Sequence, residues 1–184
     1  MTDVRSNLNF NMTGKRVVNF DYAPRPWQRA ALRELESHSR SVLVAHRRAG
    51  KTELLALRLL IAAMELTREH PAPLFGYLAP FLYQAEAVVW TRLKYYARNL
   101  ISAGLARTKE DDLVLTLWNG SSIRLFGADR PDRLRGNGFD GVVMDEVAQM
   151  KPNTWPAVVL PALSDRDRFR PGPPKSRAEN GRGW

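Results

Sequence analysis

The sequence predicts an α/β fold with a mainly parallel central sheet, flanking helices and a β-hairpin, and three observations predict it. Short apolar runs rich in β-branched residues alternate with helical patterns along the chain. One such run leads straight into a Gly-Lys-Thr loop followed by a helix pattern, and a later one ends in adjacent acids, Asp145 and Glu146. Between them, Asn119-Gly120 sits between two apolar segments, which is a strong hairpin signal.

Residues 1–19 are polar with scattered apolar positions and predict a loose lead-in. Trp27, Ala31, Leu35 and His38 fall at helical spacing and predict an amphipathic helix over 27–40. The apolar stretch 41–45 predicts a buried strand. A loop follows at 46–52, and 53–69 is a strong helix pattern closed by Pro71. Residues 74–79 predict a second strand, stopped by Pro80, and a long helix runs from about Leu82 to Ser102, ending near Gly104. The hairpin arms are 113–118 and 122–126, and 141–145 is another buried strand. Residues 153–163 predict one more helix, limited by Pro156 and Pro161. From 166 to 184 there is no Val, Ile, Leu or Met, and the Pro and Gly content predicts a disordered tail.

With 184 residues the chain has room for about one domain. Cysteine is absent, which excludes disulfide scaffolds, thiolate metal sites and cysteine catalysis. No apolar run approaches a membrane span, and the Asn-rich start is not a signal peptide, so a soluble intracellular protein is expected. The net charge of +9 points to a nucleic-acid partner. Its distribution weakens that inference, because residues 41–163 carry fifteen basic against twelve acidic side chains and the two ends hold most of the excess.

Residues 45–52 match the phosphate-loop pattern except at the first position, where Ala45 replaces glycine. A loop between strand and helix points backbone N–H groups at an anion, and the helix dipole adds to the field. Here Arg48, Ala49 and Gly50 would line the phosphates, Lys51 would reach the outer ones, and the Thr52 hydroxyl would ligate Mg²⁺. An aspartate at the end of a neighbouring strand, Asp145, can hold Mg²⁺ through water. Glu146 directly after it can orient and deprotonate an attacking water. Arg47 can place positive charge on a terminal phosphate, the alternative being that it faces solvent or pairs with an acid. Gln28 can read an adenine edge, since an amide donates and accepts at once; alternatively it is a helix-start residue after Pro26.

Taken together, these residues resemble the ATPase domain of phage terminase large subunits, motors that package viral DNA. The resemblance runs from about residue 20 to 165. It rests on Pro24-Arg-Pro-Trp-Gln28, Arg47-Arg-Ala-Gly-Lys-Thr52, Tyr77-Leu-Ala-Pro80 with Gln84, Ala85 and Trp90, and Asn119-Gly-Ser-Ser-Ile123. Further along come Gly127-Ala-Asp129, Leu134-Arg-Gly136, the run Val142 to Ala148, Trp155 and Pro161-Ala-Leu163. It implies a P-loop NTPase fold of the RecA-like (ASCE) type and hydrolysis of ATP with Mg²⁺. It also implies coupling to translocation of double-stranded DNA by a homo-oligomeric ring. The terminase small subunit and the portal protein would be its partners, in the cytoplasm of the bacterial host and away from any membrane. By resemblance, Lys51 and Thr52 go to phosphate and metal, Asp145 to metal, Glu146 to catalysis and Arg47 to a cis-arginine position. Arg135-Gly136 receives no role and reads equally as a tight turn.

After Asp165 the chain departs from the family, which continues with a buried strand ending in a small hydroxyl residue and then a nuclease domain. The domain is therefore expected to be incomplete at its C-terminus, without DNA cleavage. A deliberate truncation, a short gene product and a frameshift would each account for this, and the abrupt switch to Arg, Pro, Gly and Ala favours out-of-frame translation of GC-rich DNA. A sheet lacking a strand exposes an edge, so weak solubility and little turnover are expected of the isolated chain. Two alternatives stand beside the motor: an inactive remnant that binds nucleotide or nucleic acid without turnover, and a helicase-like ATPase fragment.

Overall fold

The computed structural model describes residues 9–12, 16–20, 22–66 and 72–167. The tail expected over 168–184 and residues 67–71 lie outside the described residues. Where a loose lead-in is expected, β1 (Asn9–Met12) and β2 (Arg16–Asn19) pair as an antiparallel hairpin. Helix α1 (Pro26–Ser37) opens with Pro at its first position, where the missing N–H would have had no intrahelical partner.

Helix α2 (Lys51–Glu65) starts directly after Gly50 and buries Leu54, Leu57, Leu60 and Met64 among others. Strand β3 (Leu74–Ala79) has the bounds that its apolar run and Pro80 predict. The long helix expected over 82–102 is one helical run in three parts: α3 (Leu82–Gln84), a π-helical turn at Ala85–Trp90 and α4 (Thr91–Ser102). Strand β4 (Ala106–Lys109) has no counterpart among the sequence expectations. Beyond it, β5 (Val114–Leu117) and β6 (Ser122–Gly127) form the hairpin around Asn119-Gly120, with Gly120 at φ 81°. Strand β7 (Gly141–Met144) precedes a 3₁₀ turn at Val147–Gln149, and the final helix is a π-helical turn (Trp155–Val159) running into α5 (Leu160–Asp167).

The main sheet has the order β4-β5-β6-β3-β7. Its centre is parallel, β3 pairing with β6 on one side and β7 on the other, whereas β4, β5 and β6 form an antiparallel meander. Alternation along β3 sorts the core into two layers. Phe75, Tyr77 and Ala79 join Ile123, Leu125 and the apolar faces of α2 and α4, whereas Leu78 joins Phe126, Phe139, Val158 and Ala162 on the opposite face. A Cβ at Gly76 would lie 3.1 Å from the Phe139 ring, so glycine there lets the buried ring lie against the strand.

The buried strand expected over 41–45 does not form. Among the described residues they pair with no strand, and Val42 and Val44 are 91% and 89% exposed. Among the described residues β7 is the last strand on its side of the sheet, and 41–45 does not pair with its outer edge. An apolar β-branched run is strand-prone, but it is buried only where a partner covers it.

Candidate nucleotide site

The site lies where the N-terminus of α2 meets the C-terminal end of β7, and it is held from three directions. The first is its own backbone. The loop closes through Ala49 N–H donating to the His46 carbonyl (3.3 Å) and Leu54 N–H to that of Gly50 (3.2 Å). Gly50 takes φ 92°, a left-handed conformation in which a Cβ would also stand 2.9 Å from Gln28 Nε2. Arg48 has φ 63° and Glu146 φ 52°, both uncommon for residues with a side chain. Left-handed backbone on both sides of one site stores strain where the surrounding structure must hold it.

The second support is α1. Arg25 Nη1 donates to the Ala49 carbonyl (3.1 Å), and Gln28 Nε2 donates to that of Gly50 (3.2 Å). Gln28 is 2% exposed, and its Oε1 accepts the Arg25 N–H at 2.8 Å. Both ends of the amide predicted for adenine are thus engaged by the protein's own backbone. The sequence signal for Arg25 was present in the same Pro-Arg-Pro-Trp-Gln stretch, yet its reach to the loop was not legible there.

The third support is β7 and its neighbour. The Thr52 hydroxyl donates to Asp145 Oδ2 at 2.9 Å, joining residues 93 positions apart. The Tyr77 hydroxyl, on β3, donates to the same oxygen at 2.7 Å, and Asp145 Oδ1 accepts the Glu146 N–H at 3.0 Å. Burial, then the neighbouring Asp145 carboxylate, push the Tyr77 phenol well above its usual range, so it serves as a donor. Lys51 Nζ donates to the Ala45 and His46 carbonyls at 2.8 and 3.2 Å. Arg47 and Arg48 are exposed on the loop, and Glu146 is exposed beside Asp145. All the residues singled out by sequence therefore gather around the loop and the end of β7, with Gln28 behind the loop.

The donor set suits a hard cation held together with a polyphosphate. A hydroxyl and a carboxylate oxygen converge at 2.9 Å, and no cluster of three or more His, Cys, Asp or Glu occurs among the described residues. Mg²⁺ is characteristically held by one or two protein oxygens with phosphates and water completing the shell. The first turn of the 15-residue α2 supplies N–H groups that no intrahelical bond uses and about half a positive charge from its dipole.

No protein-family model matches the chain. Over 47 residues it is 45% identical to the large terminase subunits of Thermus phage G20c and Thermus virus P23-45, a stretch covering 26% of this chain and 10% of each relative. The large terminase ATPase domain of Thermus phage P74-26 has a similar structure, with TM-score 0.61 and 27% identity over 80% of this chain and 63% of that one. The large terminase of another thermophilic bacteriophage, solved in complex with ADP, gives TM-score 0.50 and 26% identity, covering 63% of this chain and 28% of that one. In the matched stretch and in its architecture, this chain is similar to the large terminase subunits of bacteriophages, over the region of the P74-26 ATPase domain.

Proposed function

We propose that the chain is the ATP-hydrolysing motor region of a viral DNA-packaging terminase, working with Mg²⁺. The observation that carries this reading is the hydrogen bond from Thr52 to Asp145, which brings the start of the loop helix to the acid-bearing end of β7. Bound there, Mg²⁺ would supply charge neutralisation at the phosphates, with Thr52 and Asp145 as its protein oxygens. Lys51, at the helix start, is placed to trade its carbonyl partners for phosphate oxygens. Glu146 follows Asp145 and orients and deprotonates the attacking water. Arg47, exposed on the loop, adds positive charge as the terminal phosphate leaves. Gln28 holds the loop through Gly50, and Arg48, Ala49 and Gly50 present backbone to the phosphates.

By the same reading the motor acts on double-stranded DNA as a homo-oligomeric ring. The terminase small subunit and the portal protein are its partners in the bacterial host's cytoplasm. No helix among the described residues is long and apolar enough to cross a membrane.

The test is binding of a fluorescent ATP analogue together with phosphate release in Mg²⁺, with and without duplex DNA. Lys51→Ala is expected to weaken nucleotide binding at least tenfold. Glu146→Gln is expected to bind normally and lose turnover by about 10²–10⁴-fold, the range for a general base. A wild-type chain that binds no nucleotide would overturn the reading. A second reading, binding without turnover, is favoured by the unpaired segment 41–45, which leaves the strand side of the loop unsupported. In that case Glu146→Gln changes nothing, because wild type does not turn over either.

A further inference from the structure

Tyr77 is a core residue by every packing measure. It is 1% exposed in the middle of β3, among Leu57, Leu60 and other apolar side chains of the layer under α2. Phenylalanine would fill that space equally well, so the hydroxyl is the part that packing does not explain. A buried hydroxyl left without a partner is destabilising, so its partner matters. Here it is a carboxylate oxygen, at the 2.7 Å expected of a charge-assisted bond.

The register explains how the ring reaches that oxygen. Tyr77 lies opposite Val143 in the parallel pair of β3 and β7, so Asp145 is two residues further along the neighbouring strand, diagonal to the ring. Asp145 N–H also donates to the Leu78 carbonyl at 2.9 Å, which fixes the backbone from which the carboxylate projects. Its oxygens are then divided. Oδ1 is held by the Glu146 N–H, and Oδ2 takes both hydroxyls, Thr52 and Tyr77. Thr52 sits in the first turn of α2 and its hydroxyl turns about one bond. Tyr77 is clamped in the core and its donor direction is set by the ring. When Thr52 turns toward another partner, the Tyr77 bond still holds Asp145 in place.

We infer that Tyr77 is a positioning residue for the metal-side carboxylate, holding Asp145 in the orientation in which it serves a divalent cation bound with nucleotide. This rests on the Mg²⁺–ATP reading above. Partners that orient a ligating carboxylate typically contribute 10–100-fold to metal affinity.

The experiment measures Mn²⁺ binding by electron paramagnetic resonance, with ATP present, in wild type and Tyr77→Phe. Binding of the fluorescent ATP analogue in EDTA is measured in parallel. Tyr77→Phe is expected to weaken Mn²⁺ binding about 10–100-fold while leaving metal-free nucleotide binding within about twofold. In an Asp145→Asn background the same change is expected to have no further effect on Mn²⁺. Unchanged Mn²⁺ binding in Tyr77→Phe would overturn the inference, and so would an equal loss of metal-free nucleotide binding, since that marks a merely structural role. Should Tyr77→Phe not fold, 3-fluorotyrosine at position 77 keeps the ring and hydroxyl. Its ¹⁹F resonance is expected to shift when Mg²⁺ joins the nucleotide, and a resonance that does not move sinks the idea. If wild type binds neither nucleotide nor Mn²⁺, the ATP reading itself fails; if wild type binds both and Tyr77→Phe matches it, only the tyrosine assignment fails.

Discussion

Tyr22 and Gln28 stand six positions apart and show opposite fates for a buried polar group. The Gln28 amide is satisfied at both ends by backbone, so Gln28→Ala leaves the Gly50 carbonyl and the Arg25 N–H without their partner. That change is expected to cost about 1–3 kcal/mol, read as a lower urea midpoint. The Tyr22 hydroxyl is buried with no hydrogen-bond partner among the described residues, its ring edge-on to Tyr96 at 5.8 Å. Tyr22→Phe is therefore expected to leave stability unchanged or raise it by up to about 1 kcal/mol, and a loss larger than that contradicts the assignment. Burial raises both phenols first; the neighbouring Tyr96 then adds to the rise at Tyr22 and the Glu53 carboxylate to that at Tyr96, which is pushed up to about 12. Below pH 10 folded and unfolded chains hold these protons alike. As pH rises past 10 the unfolded chain releases them while the folded one keeps them, so stability falls through pH 12. Urea midpoints at pH 8 and pH 11 check the sign, and Tyr22→Phe should flatten the fall.

Asn119 shows how an element is held by a residue outside it. Its side-chain amide donates to the Ala63 and Leu66 carbonyls at 2.9 and 3.1 Å, while its Oδ1 accepts the Ser121 N–H at 3.1 Å. The tip of the β5–β6 hairpin thus caps the last turn of α2, whose carbonyls have no partner within the helix. Asn119→Ala is expected to destabilise the domain by about 1–3 kcal/mol, and thermal unfolding that barely moves would show the cap to be idle. The sequence announced the turn at Asn119-Gly120 but not the cap, because a turn is local and the helix end it serves lies more than 50 positions back. The same division runs through the other elements. Strand β3 was legible to the residue, since its apolar run is bounded by a proline. Strand β4 was not, because Ala-Arg-Thr-Lys looks like a loop until its alternation is set against β5. Segment 41–45 was misread because burial belongs to a pair of strands and the sequence displays one. At the site, Lys51, Thr52, Asp145 and Glu146 carry motif spacing and were legible. Tyr77 was not, since an aromatic in a strand reads as packing and only its hydroxyl bond distinguishes it.

At the scale of the whole molecule, the sheet carries two unequal edges. Strand β4 ends the sheet with Arg107 and Lys109, charged side chains that discourage further pairing. On the other side β7 has no further partner strand among the described residues, and Val42 and Val44 stand exposed in the segment that leads to the loop. That side is the expected route to aggregation, and the double change Val42→Lys, Val44→Lys should raise the soluble fraction on expression several-fold without altering the far-ultraviolet spectrum. Unchanged solubility would place the liability elsewhere. The bond that joins Thr52 to Asp145 also has a consequence in time. Its partners are separated by 93 residues, and a ribosome adds about 5–20 residues per second, so Thr52 waits roughly 5–20 s for its acid to be synthesised. For that interval the nascent chain carries the loop at 46–52 without its acid partner, and the order of synthesis makes the acid-bearing strand the last part of the site to arrive.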